Sequence, residues 1–202
     1  MNVLPENLKD VVIYPRDYIL SKKSSELIPP VETIQYYQYG THWNMLGAMN
    51  AFDLLYQKII DNFPDVVFPK LEYNIDIKNE PYIDSWLTTL GFTSASWEYY
   101  NTHAIIEPEN KWTYYYTYTK NEDRNRVITE NKNPGLPRAI IFRDSFFSAL
   151  ESFTSTMFSS AEYNWRWFNE SEKGYILNNK PDIIIWEMAE RYITGIPNAT
   201  WN

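Results

Sequence analysis

The chain has 202 residues, enough for one domain that buries about 70% of its unfolded surface without a metal or disulfide staple; 44% hydrophobic and 22% charged residues exclude a disordered chain. A net charge of −8 argues against a nucleic-acid partner, and six glycines leave little material for a glycine-rich phosphate loop. The absence of cysteine removes thiolate catalysis, zinc ribbons and disulfides, and two histidines (His42 and His103) exclude a multi-histidine metal site, so no metal or cofactor is expected.

In chain order, Val11 to Tyr14 is a β-branched run and predicts a strand. The polar stretch Ser21 to Glu26, closed by Pro29-Pro30, reads as a loop. Gln35 to Tyr39 is a second strand candidate ending at Gly40. Asn44 is a good N-cap for a helix over Met45 to Asn62, along which Met45, Ala48, Met49, Phe52, Leu55, Tyr56, Ile59 and Ile60 recur at helical spacing. Pro64 to Ile77 carries turn signals and no clear element, and Tyr82 to Leu90 reads as a short helix stopped by Gly91.

Trp112 to Thr119 alternates strictly, with Trp112, Tyr114, Tyr116 and Tyr118 on one side. With the polar turn Asn121 to Asn125 and the run Arg126 to Thr129, it predicts a β-hairpin. After the loop Asn131 to Pro137, Ala139 to Phe142 is an apolar strand suited to a sheet buried on both faces. Arg143-Asp144-Ser145 interrupts it, and Phe146 to Phe158 reads as a helix. Lys180-Pro181-Asp182 introduces a further buried strand, Ile183 to Trp186, followed by Glu187 to Ile193. Strands alternating with helices predict an α/β fold with a mostly parallel sheet, in a single domain over residues 1–202. No apolar run approaches the ~20 residues of a membrane span. Met1 to Asp10 lacks the order of a secretory signal, which leaves a cytoplasmic protein or a piece separated from its targeting segment.

Two segments can carry chemistry. Ser145 follows a buried strand and opens a helix, where open α/β sheets keep their ligand sites and free N–H groups can meet an oxyanion. The serine can equally be a helix cap, because the glycine-flanked nucleophile elbow is absent. Gly40-Thr41-His42-Trp43-Asn44 places a histidine in the loop before the strongest helix. It is either the base that a serine nucleophile needs or a ring satisfied by a loop carbonyl. His103, without a carboxylate or glycine nearby, reads as a surface residue.

Taken together, Gly40-Thr41-His42-Trp43-Asn44-Met45-Leu46-Gly47-Ala48, Ile141-Phe142-Arg143-Asp144-Ser145-Phe146 and Lys180-Pro181-Asp182-Ile183-Ile184-Ile185-Trp186-Glu187-Met188-Ala189-Glu190-Arg191 form an ordered set. They resemble the SGNH-hydrolase-like domain of the alginate O-acetyltransferase family, whose segments read D-T-H-W-[NST]-x-x-G-A, G/R-D-S-F and K-P-D-[IV]-[IV]-[IV]-x-E-x-x-E-R. The resemblance runs from about Tyr36 to Tyr192, with the middle, Phe63 to Pro137, matching only loosely. It implies a three-layer α/β sandwich with the histidine segment before the serine segment and a β-hairpin insertion.

By that resemblance Ser145 takes the acyl group, His42 is its base and Asp144 is the structural aspartate beside the nucleophile. Arg143, Thr41, Trp43, Trp186, Glu187 and Arg191 border the site; Glu187, Glu190 and Arg191 can instead form a packing ion pair. The implied activity is O-acetyl transfer or ester hydrolysis on a bacterial extracellular polysaccharide. The acyl donor would come from a membrane acyltransferase, and the location would be outside the cytoplasm. Sugar rings lie on aromatic side chains, so Tyr163, Trp165, Arg166 and Trp167 are candidate glycan contacts, whereas the Tyr114/Tyr116/Tyr118 stripe is read as packing.

The chain departs from the family where its aspartate, two residues before the histidine, is Gly40. That leaves a Ser–His dyad, a carboxylate from elsewhere such as Asp17 or Glu98, or a site without chemistry. The last option makes a carbohydrate-binding or scaffolding domain the rival reading, and an esterase of small molecules is a third. The abrupt start, relative to family members with an anchor or signal, predicts a fragment of a longer protein.

Overall fold

A computed structural model describes residues 10–21, 35–37, 41–81, 91, 100–108, 114–121 and 124–195. The chain divides into two units, Met1–Pro64 with Ile77–Ala104, and Asp65–Asp76 with Ile105–Asn202. The expected loop over residues 22–30, Gly40 and the expected helix Tyr82 to Leu90 lie outside the described residues, as do Glu98 and Trp112.

In the first unit the strand expected at Val11 to Tyr14 is not formed. Residues 10–15 are a turn and an irregular stretch, Val11 and Val12 are exposed, and the chain enters helix α1 (Arg16–Ser21). β-branched residues make a strand only with a partner surface to pack on. Pro15, pre-set for a helical start, offers its carbonyl to the Ile19 N–H at 2.8 Å. Helix α2 (Met45–Asn62) has the predicted bounds, and the Asn44 carboxamide oxygen accepts from the Gly47 N–H at 3.0 Å as its cap. Its buried face, Leu46, Ala48, Met49, Ala51, Phe52 and Ile59, repeats at helical spacing.

One buried polar side chain ties this unit together. Gln35 donates to the Ile19 carbonyl at the end of α1 and accepts from Asn50 of α2, each at 2.7 Å. Of the strand predicted over Gln35 to Tyr39, residues 35–37 are described, and they carry an antiparallel bridge, Tyr36 to Trp43.

Strands β1 (Tyr73–Pro81) and β2 (Tyr100–Pro108) form a two-stranded sheet, and His103 lies on β2. The second unit holds a five-stranded sheet in the order β3-β4-β6-β5-β7. Its strands are β3 (Tyr114–Asn121), β4 (Arg124–Asn131), β5 (Arg138–Phe142), β6 (Ser160–Asn164) and β7 (Ile183–Trp186). β3 and β4 are antiparallel with Tyr116 opposite Thr129, and β4 is antiparallel to β6. β5 is parallel to both β6 and β7.

β5 is central and its last four residues are buried, which its apolar run requires. β7 lies beside it at the sheet edge; contrary to the expected burial, Ile184 is 44% exposed. On β6, Tyr163 packs against Phe147 and bonds Thr154, whereas its strand neighbour Glu162 turns to the opposite face and meets Arg126 and Tyr175. Helical segments thus cover both faces, an arrangement compatible with a three-layer α/β fold.

The helix expected over Phe146 to Phe158 is broken up. Ser145–Leu150 is a 3-10 helix and only Glu151–Thr154 (α3) is α-helical. The hydroxyls of Thr154, Ser155 and Thr156 bond the carbonyls of Leu150, Ser152 and Phe153, which competes with continuation of the helix. On the other face, a 3-10 turn Glu170–Glu172 leads into helix α4 (Lys173–Asn179). After β7 the chain runs irregularly to a 3-10 turn, Glu190–Gly195.

Candidate functional site

The carboxyl ends of three parallel strands converge on one short segment, Arg143-Asp144-Ser145. The Arg143 N–H still reaches across to β6, donating to the Asn164 carbonyl at 3.0 Å. The Glu187 N–H, just past β7, donates to the Phe142 carbonyl at 2.9 Å. Beyond that point the β5 chain leaves the sheet, and the Asp144 N–H turns to the Glu187 carboxyl group at 3.0 Å. Loops at the carboxyl ends of parallel strands are where open α/β sheets bind their ligands.

Asp144 is the helix cap, a role the sequence also allowed for Ser145. Its extended backbone lets one carboxylate oxygen accept from the Phe146 N–H at 2.8 Å, while the other accepts from the Ala189 N–H at 2.7 Å. The carboxylate therefore clamps the β5 turn to the loop after β7. Ser145 sits between these anchors as the first residue of the 3-10 helix, half-buried. The Phe146 N–H is committed to Asp144, so it is not a spare donor for an oxyanion.

Arg143 points into the structure. Its guanidinium pairs with Glu151 and donates to Ser148 Oγ at 2.9 Å and to the Asp144 carbonyl at 3.1 Å. Burial lowers the Arg143 guanidinium from its usual value and raises the Glu151 carboxyl, in each case against the attraction of the other partner. Desolvation outweighs attraction on both sides of this bridge, so its contribution is to fix the turn's geometry rather than to add net stability. Burial, with the Asp144 carboxylate alongside, pushes Glu187 up to about 8, so this side chain holds its proton at neutral pH.

The aromatic candidates separate cleanly. Trp165 and Trp167 are 45% and 44% exposed. The Arg143 guanidinium lies 4.3 Å from the Trp165 ring centre, and Trp167 meets Tyr192 edge-on at 5.0 Å. Arg191 stacks over Tyr192 at 4.8 Å and over Phe146 at 5.6 Å, in place of the ion pair allowed for it with Glu187 or Glu190. Tyr163 is fully buried and Arg166 is turned inward, bonded to Glu172 at 2.6 Å and stacked over Phe142 and Tyr175. Both side chains are thus engaged within the unit, Tyr163 against Phe147 and Arg166 with Glu172. Trp186 ends β7 with its ring against Phe168. Tyr192, Ser148 and Glu151 join the cluster unannounced by any local pattern.

His42 belongs to the other unit. The Tyr37 N–H donates to its carbonyl at 3.2 Å, and the Asn44 N–H donates to the Gln35 carbonyl at 3.0 Å, so the chain is pinned on both sides of the ring. Trp43 is buried, and Thr41 Oγ1 stands 2.9 Å from His42 Nδ1. Asp17, one of the spare acids, is exposed beside Arg16. Among the described residues no group of three or more carboxylates and imidazoles has the arrangement of a metal site, and no helix is long and apolar enough to cross a membrane.

No family model matches the chain, and no curated protein matches it. Among solved structures, it is similar to PatB1 of Bacillus cereus at 15% identity, covering 91% of this chain and 75% of that one with a TM-score of 0.55. A PatB1 structure with a sulfonyl adduct matches at 14% identity over 76% of this chain and 60% of that one, TM-score 0.53. A DHHW family protein from Eubacterium siraeum is similar at 16% identity, over 91% and 72% of the two chains, with a TM-score of 0.55. At such identities the likeness is one of fold.

Proposed function

We propose that the chain is a serine-dependent acyltransferase or esterase of the SGNH type, acting on O-acetyl groups of an extracellular polysaccharide. The observation that carries the reading is Ser145 on a turn clamped by Asp144 at the carboxyl end of the central strand. His42 Nε2 takes the Ser145 hydroxyl proton as Oγ bonds the acyl carbon. The tetrahedral oxyanion then collapses, and the departing donor oxygen receives the proton from His42. A sugar hydroxyl or water repeats the sequence in reverse to release the acyl group. Trp165, Trp167 and Tyr192 offer ring faces to the acceptor sugar, and Arg191 offers a cation beside them. On this reading the chain works outside the cytoplasm, with its acyl donor supplied by a membrane acyltransferase.

The fold likeness to PatB1 supports the reading, and so does the sulfonyl adduct in one of those structures, since sulfonyl reagents mark activated nucleophiles. The test is intact-mass spectrometry after treatment with a sulfonyl fluoride. Stoichiometric labelling that Ser145→Ala and His42→Ala both abolish is the expected result. A folded wild-type chain that stays unlabelled, with labelling appearing only in Gly40→Asp, overturns the catalytic reading in favour of a glycan-binding domain.

A further inference from the structure

A histidine works as a base only in one of its two neutral tautomers, and the group at the other ring nitrogen selects which. The loop that carries His42 has Gly40 where a carboxylate would orient the ring, yet the ring nitrogen distal to the proposed chemistry has a neighbour. Thr41 Oγ1 lies 2.9 Å from His42 Nδ1, with both residues half-buried. The backbone on either side is held by the Tyr37, Trp43 and Asn44 pairings, so ring and hydroxyl are presented to each other by a fixed frame.

We infer that Thr41 is a positioning residue for His42, its hydroxyl oxygen accepting the Nδ1 proton so that the ring's lone pair lies on Nε2. This rests on the proposed function for its catalytic consequence, though not for the tautomer itself. A hydroxyl is both donor and acceptor, and its hydrogen rotates to suit the partner. On this inference it accepts from Nδ1–H in the neutral ring and again in the imidazolium formed when Nε2 takes the serine proton. Threonine is suited to the task because branching at Cβ restricts its χ1 and so fixes where Oγ1 sits. Unlike a carboxylate, the Thr41 hydroxyl brings no negative charge, so it selects the tautomer but by itself stabilises the imidazolium less than a carboxylate would.

The ring can be read directly by two-bond proton–nitrogen correlation on the full chain labelled with 15N-histidine, at a pH where the imidazole is neutral. His42→Ala assigns its signals apart from those of His103. The expected wild-type pattern has the proton on Nδ1. The isosteric Thr41→Val should move it to Nε2, the form an imidazole prefers in water, and Thr41→Ser should leave it on Nδ1. Sulfonylation of Ser145 should slow about 10- to 100-fold in Thr41→Val and stay near wild type in Thr41→Ser. A wild-type ring protonated on Nε2, or a Thr41→Val spectrum identical to wild type, overturns the inference. A wild-type Nδ1 proton that moves in Thr41→Val while Ser145 labels in no variant upholds the positioning role and refutes the catalytic reading instead.

Discussion

Glu187 makes stability depend on pH in a direction opposite to most carboxylates, and Glu187→Gln isolates the effect. Folded, the side chain is partly buried against Asp144 and titrates at about 8; unfolded, it ionises near 4.5. Between those values the folded state binds one more proton than the unfolded state. Stability from this group is therefore fully present below the unfolded value, falls as pH rises through the window and levels off above the folded value. At about 1.4 kcal/mol per pH unit the window spans at most about 5 kcal/mol, and water reaching the partly exposed carboxyl reduces this to about 2–3 kcal/mol. Glutamine mimics the protonated acid: its carbonyl still accepts from the Asp144 N–H, and it never ionises. The variant should match wild type near pH 5 and melt about 5–10 °C higher near pH 8.5, measured by circular dichroism. Melting temperatures that run parallel from pH 5 to 9 would refute the shared-environment argument for Glu187 and Asp144.

Two further substitutions test the frames on which the candidate residues sit. A Cβ at Gly47 would fall 2.1 Å from the Gln35 carbonyl oxygen and 2.9 Å from Trp43 Cβ. Gly47→Ala should therefore cost about 2–4 kcal/mol in urea unfolding despite alanine's better helix propensity; a neutral or stabilising outcome would show that the backbone at Gln35 and α2 do not approach as described. Arg143→Met leaves the Glu151 carboxylate partly buried without its partner and should cost about 3 kcal/mol, whereas Arg143→Met combined with Glu151→Leu should recover at least half of it. Strictly additive losses in the double variant would mean that the bridge is not coupled.

What could be seen in the sequence was whatever the chain settles locally. Helix α2 was legible to the residue because its apolar face repeats every three to four positions and Asn44 supplies the cap from its own side chain. Central strand β5 was legible because a strand covered on both faces must be apolar throughout. β6 was not legible, although it is as deeply placed. Its polar letters, Glu162 and Asn164, are buried, and the partner that makes Glu162 tolerable is Arg126, 36 residues earlier in the chain, joined by Tyr175. A strand whose buried glutamate is satisfied by distant elements looks like a loop to any local pattern.

The course of β6 also separates the candidate glycan contacts. Tyr163, Trp165, Arg166 and Trp167 look alike as a surface cluster until β6 is known to run to Asn164. Tyr163 is then committed to the layer that contains Phe147, and the chain leaves the sheet with Trp165 and Trp167 outward and Arg166 turned to Glu172. Asp144 shows the same limit from the other side. Its place in the polar segment that interrupts an apolar run was visible in the sequence. Its decisive partner is the backbone amide of Ala189, 45 residues away, a group that every residue but proline possesses and no sequence pattern can single out. The residue types that could do chemistry were therefore visible in the chain, whereas the clamp that holds the Ser145 turn is visible only in the fold, because its donors are backbone amides whose location depends on how β5 and β7 pair.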